Sequence, residues 1–167
     1  MNKNSLNIQM VDLKSQYQKI KPQVDNVINE VLNSTQFING EHVSAFQREL
    51  SDYMGIKHVI TCANGTDALQ ISMMALGLNP GDEVITPSFT YIATAEVIAL
   101  LGLKPIFVDC DSNSFNLSVK EIKKAISKKT KAIVPVHLFG QSCDMKSIME
   151  IAHEYKLFVI EDNAQAN

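Results

Sequence analysis

Hydrophobic residues in positions 1–56 recur every three or four residues, which is the period of an amphipathic helix. They are Leu13, Tyr17, Ile20, Val24, Val27, Ile28, Val31 and Leu32, followed by Val43, Phe46, Leu50, Tyr53 and Met54. Pro22 is expected to start or kink the first helix, because proline lacks the amide that a helix interior needs. The pair Asn39-Gly40 separates the two patterns, and Gly55 is a typical end for the second. We therefore predict an N-terminal helical segment over residues 1–56.

From residue 57 the pattern changes to short β-rich runs that alternate with helical ones. Glycine and proline residues separate these runs. Strands are predicted over residues 58–62, 83–86, 105–109, 131–136 and 157–161. Helices are predicted over residues 66–76, 91–101, 119–127 and 144–155. Such alternation indicates an α/β fold, with a mostly parallel sheet and helices on both faces, over residues 57–167.

The composition argues against several classes of function and is consistent with the predicted α/β fold. Hydrophobic residues make up 46% of the chain and charged residues 20%, which is ordinary for a globular domain. The net charge is −3 and the cationic residues are scattered, so a nucleic-acid partner has no support. Apolar stretches fall far short of the roughly 20 residues that span a bilayer, and the N-terminus lacks a secretory pattern. We therefore expect a cytoplasmic protein with no membrane partner.

Cysteine and histidine spacing also gives no sign of a metal site. The three cysteines are far apart in sequence, and no two of them have C-x-x-C spacing. The four histidines lack the paired spacing of zinc enzymes. No metal ligand is therefore nominated.

Parallel sheets bind ligands at the carboxyl ends of their strands, and a glycine-containing turn lies at one predicted strand end. Gly65 would let a ligand approach the backbone, and the free amides and hydroxyl at Thr66 would suit a phosphate. Alternatively, Asn64 or Thr66 simply caps the following helix. The patterns of P-loop and dinucleotide-binding proteins are absent, which disfavours those classes.

Three further residues at predicted strand ends are candidates for cofactor binding. Tyr91 could stack on a planar ring, or it could be a core residue at a helix start. Asp162 ends a buried strand, where its negative charge must be compensated, for example by a protonated ring nitrogen. Alternatively, Asp162 could cap a helix or pair with a lysine. Gln165 could bind a ring substituent or the backbone. Together with the phosphate cradle, these residues describe a pyridoxal phosphate site.

Six segments of the chain closely resemble the DegT/StrS-type nucleotide-sugar aminotransferases, which are fold-type-I pyridoxal phosphate enzymes. The segments are VDLKSQY at 11–17, TQFING at 35–40, CANGTDALQ at 62–70, PGDEVITPSFTYIATA at 80–95, IVPVHLFGQ at 133–141 and IEDNAQA at 160–166. They occur in order over nearly the whole chain. Within the family, the sequences of these segments are most similar to those of enzymes that aminate a 3-keto UDP-sugar, such as a 3-keto glucuronic acid derivative.

The resemblance implies a role for each candidate residue. Gly65 and Thr66 would hold the cofactor phosphate, Tyr91 would stack on the ring, Asp162 would pair with the pyridinium nitrogen, and Gln165 would contact the phenolic-oxygen side. His137 lies in a family motif on the same rim, although a hydrogen-bonded structural histidine explains it equally well.

The resemblance also implies that this chain is an incomplete fold-type-I large domain. The Schiff-base lysine of the family would lie beyond Asn167, so no catalytic residue is nominated. We expect an N-terminal fragment whose parent is a homodimer that transfers an amino group, from glutamate, to a keto nucleotide-sugar in surface-polysaccharide or lipopolysaccharide biosynthesis. The alternatives are a sugar dehydratase of the same fold, in which a histidine replaces the lysine, and a non-catalytic fragment.

Overall fold

The computed structural model describes residues 10–166. The described residues fall into two compact units, with the boundary between Thr61 and Cys62. None of the described helices is both long enough and apolar enough to cross a membrane. The first unit contains helices α1 (Leu13–Ser34) and α2 (Glu41–Met54). The second unit contains the sheet and all the candidate residues identified in the sequence.

Helix α1 begins earlier than Pro22, which lies inside a continuous helix. The expectation that Pro22 starts the helix is therefore wrong. The start is instead set by Asp12, whose side chain accepts a hydrogen bond from the Ser15 amide at 3.0 Å. Helix α2 ends as predicted at Gly55, which has a φ of 64° in the left-handed region.

The second unit alternates helices and strands in the order that the sequence predicts. The elements are α3 (Gly65–Ala75), β1 (Glu83–Pro87), α4 (Ala93–Leu100), β2 (Lys104–Val108), α5 (Val119–Ala125), β3 (Thr130–Ile133), α6 (Met145–Tyr155) and β4 (Phe158–Val159). A short 3-10 turn, Leu138–Gly140, follows β3. The four strands form one parallel sheet in the order β2-β1-β3-β4.

One predicted strand does not form. Residues 58–62 have an extended sequence pattern but carry no strand, and none of the described residues pairs with them. A strand is defined by hydrogen bonds to a neighbour, so local propensity is insufficient without that neighbour.

Apolar side chains cover both faces of the sheet, which confirms the predicted α/β architecture. Neighbouring residues of a strand point to opposite faces, and Val84 and Ile85 accordingly belong to different hydrophobic clusters. The Val84 cluster includes Leu69 and Met73 of α3 and Val97 of α4. The Ile85 cluster includes residues of α5 and α6 on the other face. Both β1 and β3 are therefore buried from two sides.

A buried carboxylate ties the strands together at the amino end of the sheet. Glu83, the first residue of β1, accepts hydrogen bonds from the Ser127 hydroxyl and from the Lys104 ammonium group at 3.3 Å. Its amide donates to the Lys129 carbonyl at 2.9 Å. Hydrogen bonding from Ser127, helped by Lys104, holds the pKa of the Glu83 carboxyl below its usual value against the opposing effect of burial.

Glu83→Gln should lower the free energy of unfolding at pH 7 by about 1–3 kcal/mol, because it removes a charged acceptor from a buried network. The native pKa is depressed, so the contribution is fully present above the unfolded-state value of about 4.3 and is lost as the pH falls through the lower native value. Urea denaturation at several pH values between 7 and 3 should therefore show a weaker pH dependence in the variant. Glu150→Gln, at an exposed position of α6, is the matched control. Equal pH dependence in wild type and Glu83→Gln would contradict this role.

Candidate functional site

The candidate residues lie near the carboxyl end of the sheet because of how helices and strands are connected. Helix α3 leads through a short loop into the amino end of β1, and α4 begins shortly after β1 ends. Both helices pack on the Val84 face, so their first turns lie at the carboxyl edge. Asp162 reaches the same edge beyond β4, where it forms a parallel bridge with Val136. This is the edge where parallel sheets bind ligands.

Asp162 is the buried carboxylate of this edge, with only 9% of its surface exposed. Its amide donates to the Pro135 carbonyl at 2.9 Å, and its carbonyl accepts from the His137 amide at 3.1 Å. Its side-chain oxygen Oδ2 accepts from the Thr94 hydroxyl at 2.9 Å, and Oδ1 accepts from the Ala164 amide at 3.2 Å. Neither alternative suggested by the sequence is found in the described residues, since Asp162 starts no helix there and has no lysine partner.

Thr94 is the site residue that the sequence reasoning missed. It lies in the first turn of α4 and is fully buried, at 0% exposure. The only local signal is a polar residue between Ala93 and Ala95 in a mostly apolar helix. That signal could not identify Asp162 as its partner, because the two residues are 68 positions apart in the chain.

Tyr91 is exposed at the start of the α4 segment. Its side chain is 73% exposed, so the alternative of a core aromatic is wrong. The Tyr91 carbonyl accepts a hydrogen bond from the Thr94 amide at 3.3 Å. The same turn therefore carries an accessible aromatic ring and the hydroxyl group that contacts Asp162.

Gly65 and Thr66 are the first two residues of α3 in the structure. Amides at these helix positions have no carbonyl acceptor within the helix, so they are available to an anion. A Cβ atom at Gly65 would have no atom within 4 Å, which means that the space in front of this turn is open. Asn64 caps the helix by accepting from the Asp67 amide at 2.9 Å. Capping by Asn64 and anion binding at Gly65 and Thr66 are thus compatible.

Gln165 binds the backbone in this structure. Its Oε1 accepts a hydrogen bond from the Phe139 amide at 2.7 Å. Its Nε2 makes no hydrogen bond to any residue between 10 and 166. Neither Gly65 nor Thr66 is hydrogen-bonded to Gln165 or Asp162 within the same range. A contact between Gln165 and a ring substituent stays a prediction. The Nε2 group would make this contact, because Oε1 already accepts from Phe139.

His137 is a buried histidine with both ring nitrogens in use. Nδ1 accepts a hydrogen bond from the Cys143 amide at 3.2 Å, and Nε2 lies 2.9 Å from a carboxylate oxygen of Glu161. Because Nδ1 is an acceptor, the proton of the neutral ring is on Nε2 and is donated to Glu161. Burial raises the pKa of the neighbouring Cys143 thiol. These contacts favour the structural interpretation of His137.

Three phenylalanines form an apolar rim that the sequence did not predict. Phe89, Phe115 and Phe139 come from loops after β1, β2 and β3, and their ring centroids are 6.1–6.4 Å apart. The buried side chain of Asn116 joins two of these loops by donating to the carbonyls of Gln141 and Ser142 at 2.9 and 3.0 Å. These hydrogen bonds fix the loop of Phe115 relative to the loop of Phe139.

Comparison with known proteins connects this geometry to one family. Residues 18–167 match the sequence profile of the DegT/DnrJ/EryC1/StrS aminotransferase family. A UDP-2-acetamido-2-deoxy-3-oxo-D-glucuronate aminotransferase from Pseudomonas aeruginosa is 52% identical over 159 residues, which cover 95% of this chain and 44% of that enzyme. The chain thus spans less than half the length of this relative.

Solved structures show the same relationship. A DegT DnrJ EryC1 StrS aminotransferase from Brucella abortus superposes with a TM-score of 0.92 at 42% identity, over 96% of this chain and 45% of that one. A GDP-4-keto-6-deoxy-D-mannose-3-dehydratase from E. coli, solved with bound hydrated pyridoxal phosphate, gives a TM-score of 0.77 at 30% identity, over 83% of this chain and 37% of that one. The same backbone therefore occurs in a transferase and in a dehydratase.

His137→Phe should lower the free energy of unfolding by about 1–3 kcal/mol, because it leaves the Cys143 amide without its acceptor. Chemical denaturation measures this change. His153→Phe, on the exposed side of α6, is the matched control and should change stability by less than about 0.5 kcal/mol. If His137→Phe were as stable as the wild type, the hydrogen bonds of the ring would not support this loop.

Proposed function

Since the chain belongs to the DegT/DnrJ/EryC1/StrS aminotransferase family, we propose that it forms the cofactor-binding part of a pyridoxal phosphate-dependent nucleotide-sugar aminotransferase. The observation that carries this proposal is the buried Asp162 carboxylate at the carboxyl edge of the sheet. The chain covers less than half of its relatives, so the activity is that of the longer protein.

The residues present fit this cofactor. Burying a carboxylate is costly unless its charge is answered, and two neutral hydrogen-bond donors leave the negative charge of Asp162 without a cationic partner. A protonated pyridine nitrogen would provide both the positive charge and an N–H donor. The open turn at Gly65 and the exposed ring of Tyr91 lie at the starts of two helices on the same face of the sheet.

The bound cofactor would supply an electron sink for the carbon that carries the amino group. Asp162 would keep the ring nitrogen protonated, which maintains the electron demand of the ring. The Gly65 and Thr66 amides, with the Thr66 hydroxyl, would bind the phosphate and fix the end of the molecule. Tyr91 would cover one ring face and exclude water from it. The free Nε2 of Gln165 would donate to an oxygen substituent on the ring.

The proposal also covers the substrates, the oligomeric state and the location of the longer protein. The likeness to the Pseudomonas aeruginosa enzyme supports a 3-keto UDP-sugar as the amino acceptor. Glutamate as donor, a homodimeric parent, a cytoplasmic location and a role in surface-polysaccharide synthesis are expected from the family resemblance.

A sugar dehydratase of the same fold is the second candidate, and the E. coli dehydratase supports it at 30% identity. The family resemblance implies that the two would differ at a position that is not among residues 1–167, where the aminotransferase would carry a lysine and the dehydratase a histidine. The identity of that residue in the longer protein distinguishes them. A non-catalytic role of the 167-residue chain by itself is the third candidate.

Pyridoxamine phosphate should bind to this chain, because it needs no covalent bond to a lysine. Asp162→Asn should weaken binding about 10- to 100-fold, since a charge-assisted hydrogen bond to the ring nitrogen is worth about 1.5–3 kcal/mol. Fluorescence titration of the wild type and the variant measures this difference.

The control is Asp109→Asn, which removes an exposed carboxylate next to the end of β2 and should leave affinity nearly unchanged. If the wild type failed to bind, or bound no more tightly than Asp162→Asn, the proposed cofactor site would be refuted.

Gly65→Ala separates phosphate binding from folding. The new methyl group meets no atom within 4 Å, so the free energy of unfolding should stay the same or rise by about 0.4–1 kcal/mol. The methyl group would nevertheless obstruct a phosphate close to the first amides of α3, and pyridoxamine phosphate should bind several times more weakly. Affinity for pyridoxamine, which has no phosphate, should not change. Equal affinity of both proteins for pyridoxamine phosphate would remove Gly65 from the phosphate site.

A further inference from the structure

The carboxylate of Asp162 makes two hydrogen bonds to the described residues, and they restrain it differently. The bond from the Ala164 amide comes from two residues further along the same loop. It restrains only Oδ1, and does so from within the loop that carries Asp162 itself. The bond from Thr94 comes from α4, on the other side of the site. Only this bond fixes the carboxylate relative to the helix start that carries Tyr91.

The direction of this hydrogen bond follows from counting protons. Thr94 Oγ1 lies 2.9 Å from Asp162 Oδ2 and 3.4 Å from Thr90 Oγ1. A carboxylate can only accept, so the single hydroxyl proton of Thr94 is donated to Asp162. The Thr90 hydroxyl must then be the donor to Thr94. The result is a directed chain from Thr90 through Thr94 to Asp162.

This chain of hydroxyls is placed to orient the carboxylate rather than to neutralise it. Thr94 is fully buried, so the donor to Oδ2 is a protein hydroxyl that bulk water does not reach. The Thr94 side chain is packed on all sides in the protein interior, and therefore its hydroxyl donor is held in place. Once Oδ2 is held by Thr94 and Oδ1 by Ala164, the unused lone pairs of the carboxylate point in set directions.

We propose that Thr94 is a positioning residue that holds the Asp162 carboxylate in the one orientation in which it can accept the ring N–H of the cofactor, with Thr90 as the donor that orients Thr94. The part of this inference that concerns the cofactor rests on the proposed function. The part that concerns the orientation of Asp162 can be measured without any cofactor.

The first experiment measures the χ1 rotamer of Asp162 from three-bond scalar couplings in the cofactor-free chain. The wild type should show one rotamer. Thr94→Val and Thr94→Ala, which lack the hydroxyl, should show rotamer averaging, and Thr94→Ser should restore a single rotamer. Two hydroxyl-free variants are used because one of them could pack poorly in the core. Thr86→Val is the matched control, because Thr86 is equally buried but donates to the Val134 carbonyl.

The second experiment measures protonation of the ring nitrogen by 15N NMR of bound pyridoxamine phosphate labelled at that atom. With Thr94→Val or Thr94→Ala, the pH midpoint of ring-nitrogen protonation should fall by about one unit, because a misoriented carboxylate stabilises the N–H less. Thr94→Ser and Thr86→Val should keep the wild-type midpoint. A merely structural role of Thr94 would change stability without changing this midpoint selectively.

The outcomes separate the two proposals. A single Asp162 rotamer in both hydroxyl-free variants would overturn the positioning role of Thr94. Averaging of the rotamer together with an unchanged ring-nitrogen midpoint would overturn its effect on the cofactor. Failure of the wild-type chain to bind pyridoxamine phosphate would instead refute the cofactor site, while the rotamer measurement would still decide whether Thr94 orients Asp162.

Discussion

The buried carboxylate of Asp162 is the constraint on which the candidate site depends. A buried charged group is stable only if surrounding atoms make compensating interactions with it. Three parts of the fold make hydrogen bonds to Asp162. The segment after β3 pairs with the Asp162 backbone, α4 supplies the Thr94 hydroxyl, and the following loop supplies the Ala164 amide. The first two of these contacts need the parallel sheet to be assembled, because they join segments that are distant in the chain. The fold and the site are therefore not independent features of this chain.

Local sequence patterns predicted most of the fold because each helix and most strands carry their own signal. The alternation of apolar runs and helical periods gave the order of the elements from α3 to β4, and Gly55 marked a helix end that the structure contains. Residues 58–62 show the limit of this reasoning. Their composition favours a strand, but strand formation depends on a partner, and local composition carries no information about partners.

The site was predicted less completely for a related reason. Asp162 and Tyr91 were found because a carboxylate and an aromatic residue that follow predicted strand ends are local signals in the sequence. For Gln165, a ring contact and a backbone contact were equally compatible with the sequence, and the observed partner, Phe139, is 26 residues away. Thr94 carried still less local information, since a threonine in the first turn of a helix is common. Side-chain partners across the sheet become visible only in three dimensions.

The part of the fold present here holds features common to proteins with different reactions. An aminotransferase and a dehydratase both superpose on it, so this backbone by itself does not select between the two reactions. Under the proposed function, this part would set the protonation state and orientation of the cofactor through the contacts around Asp162. In this interpretation, the electronic state of the cofactor is set by this part of the fold, whereas the fate of the substrate is decided by groups brought to it from elsewhere in the protein. That division explains how one arrangement of strands and helices accommodates more than one sugar chemistry.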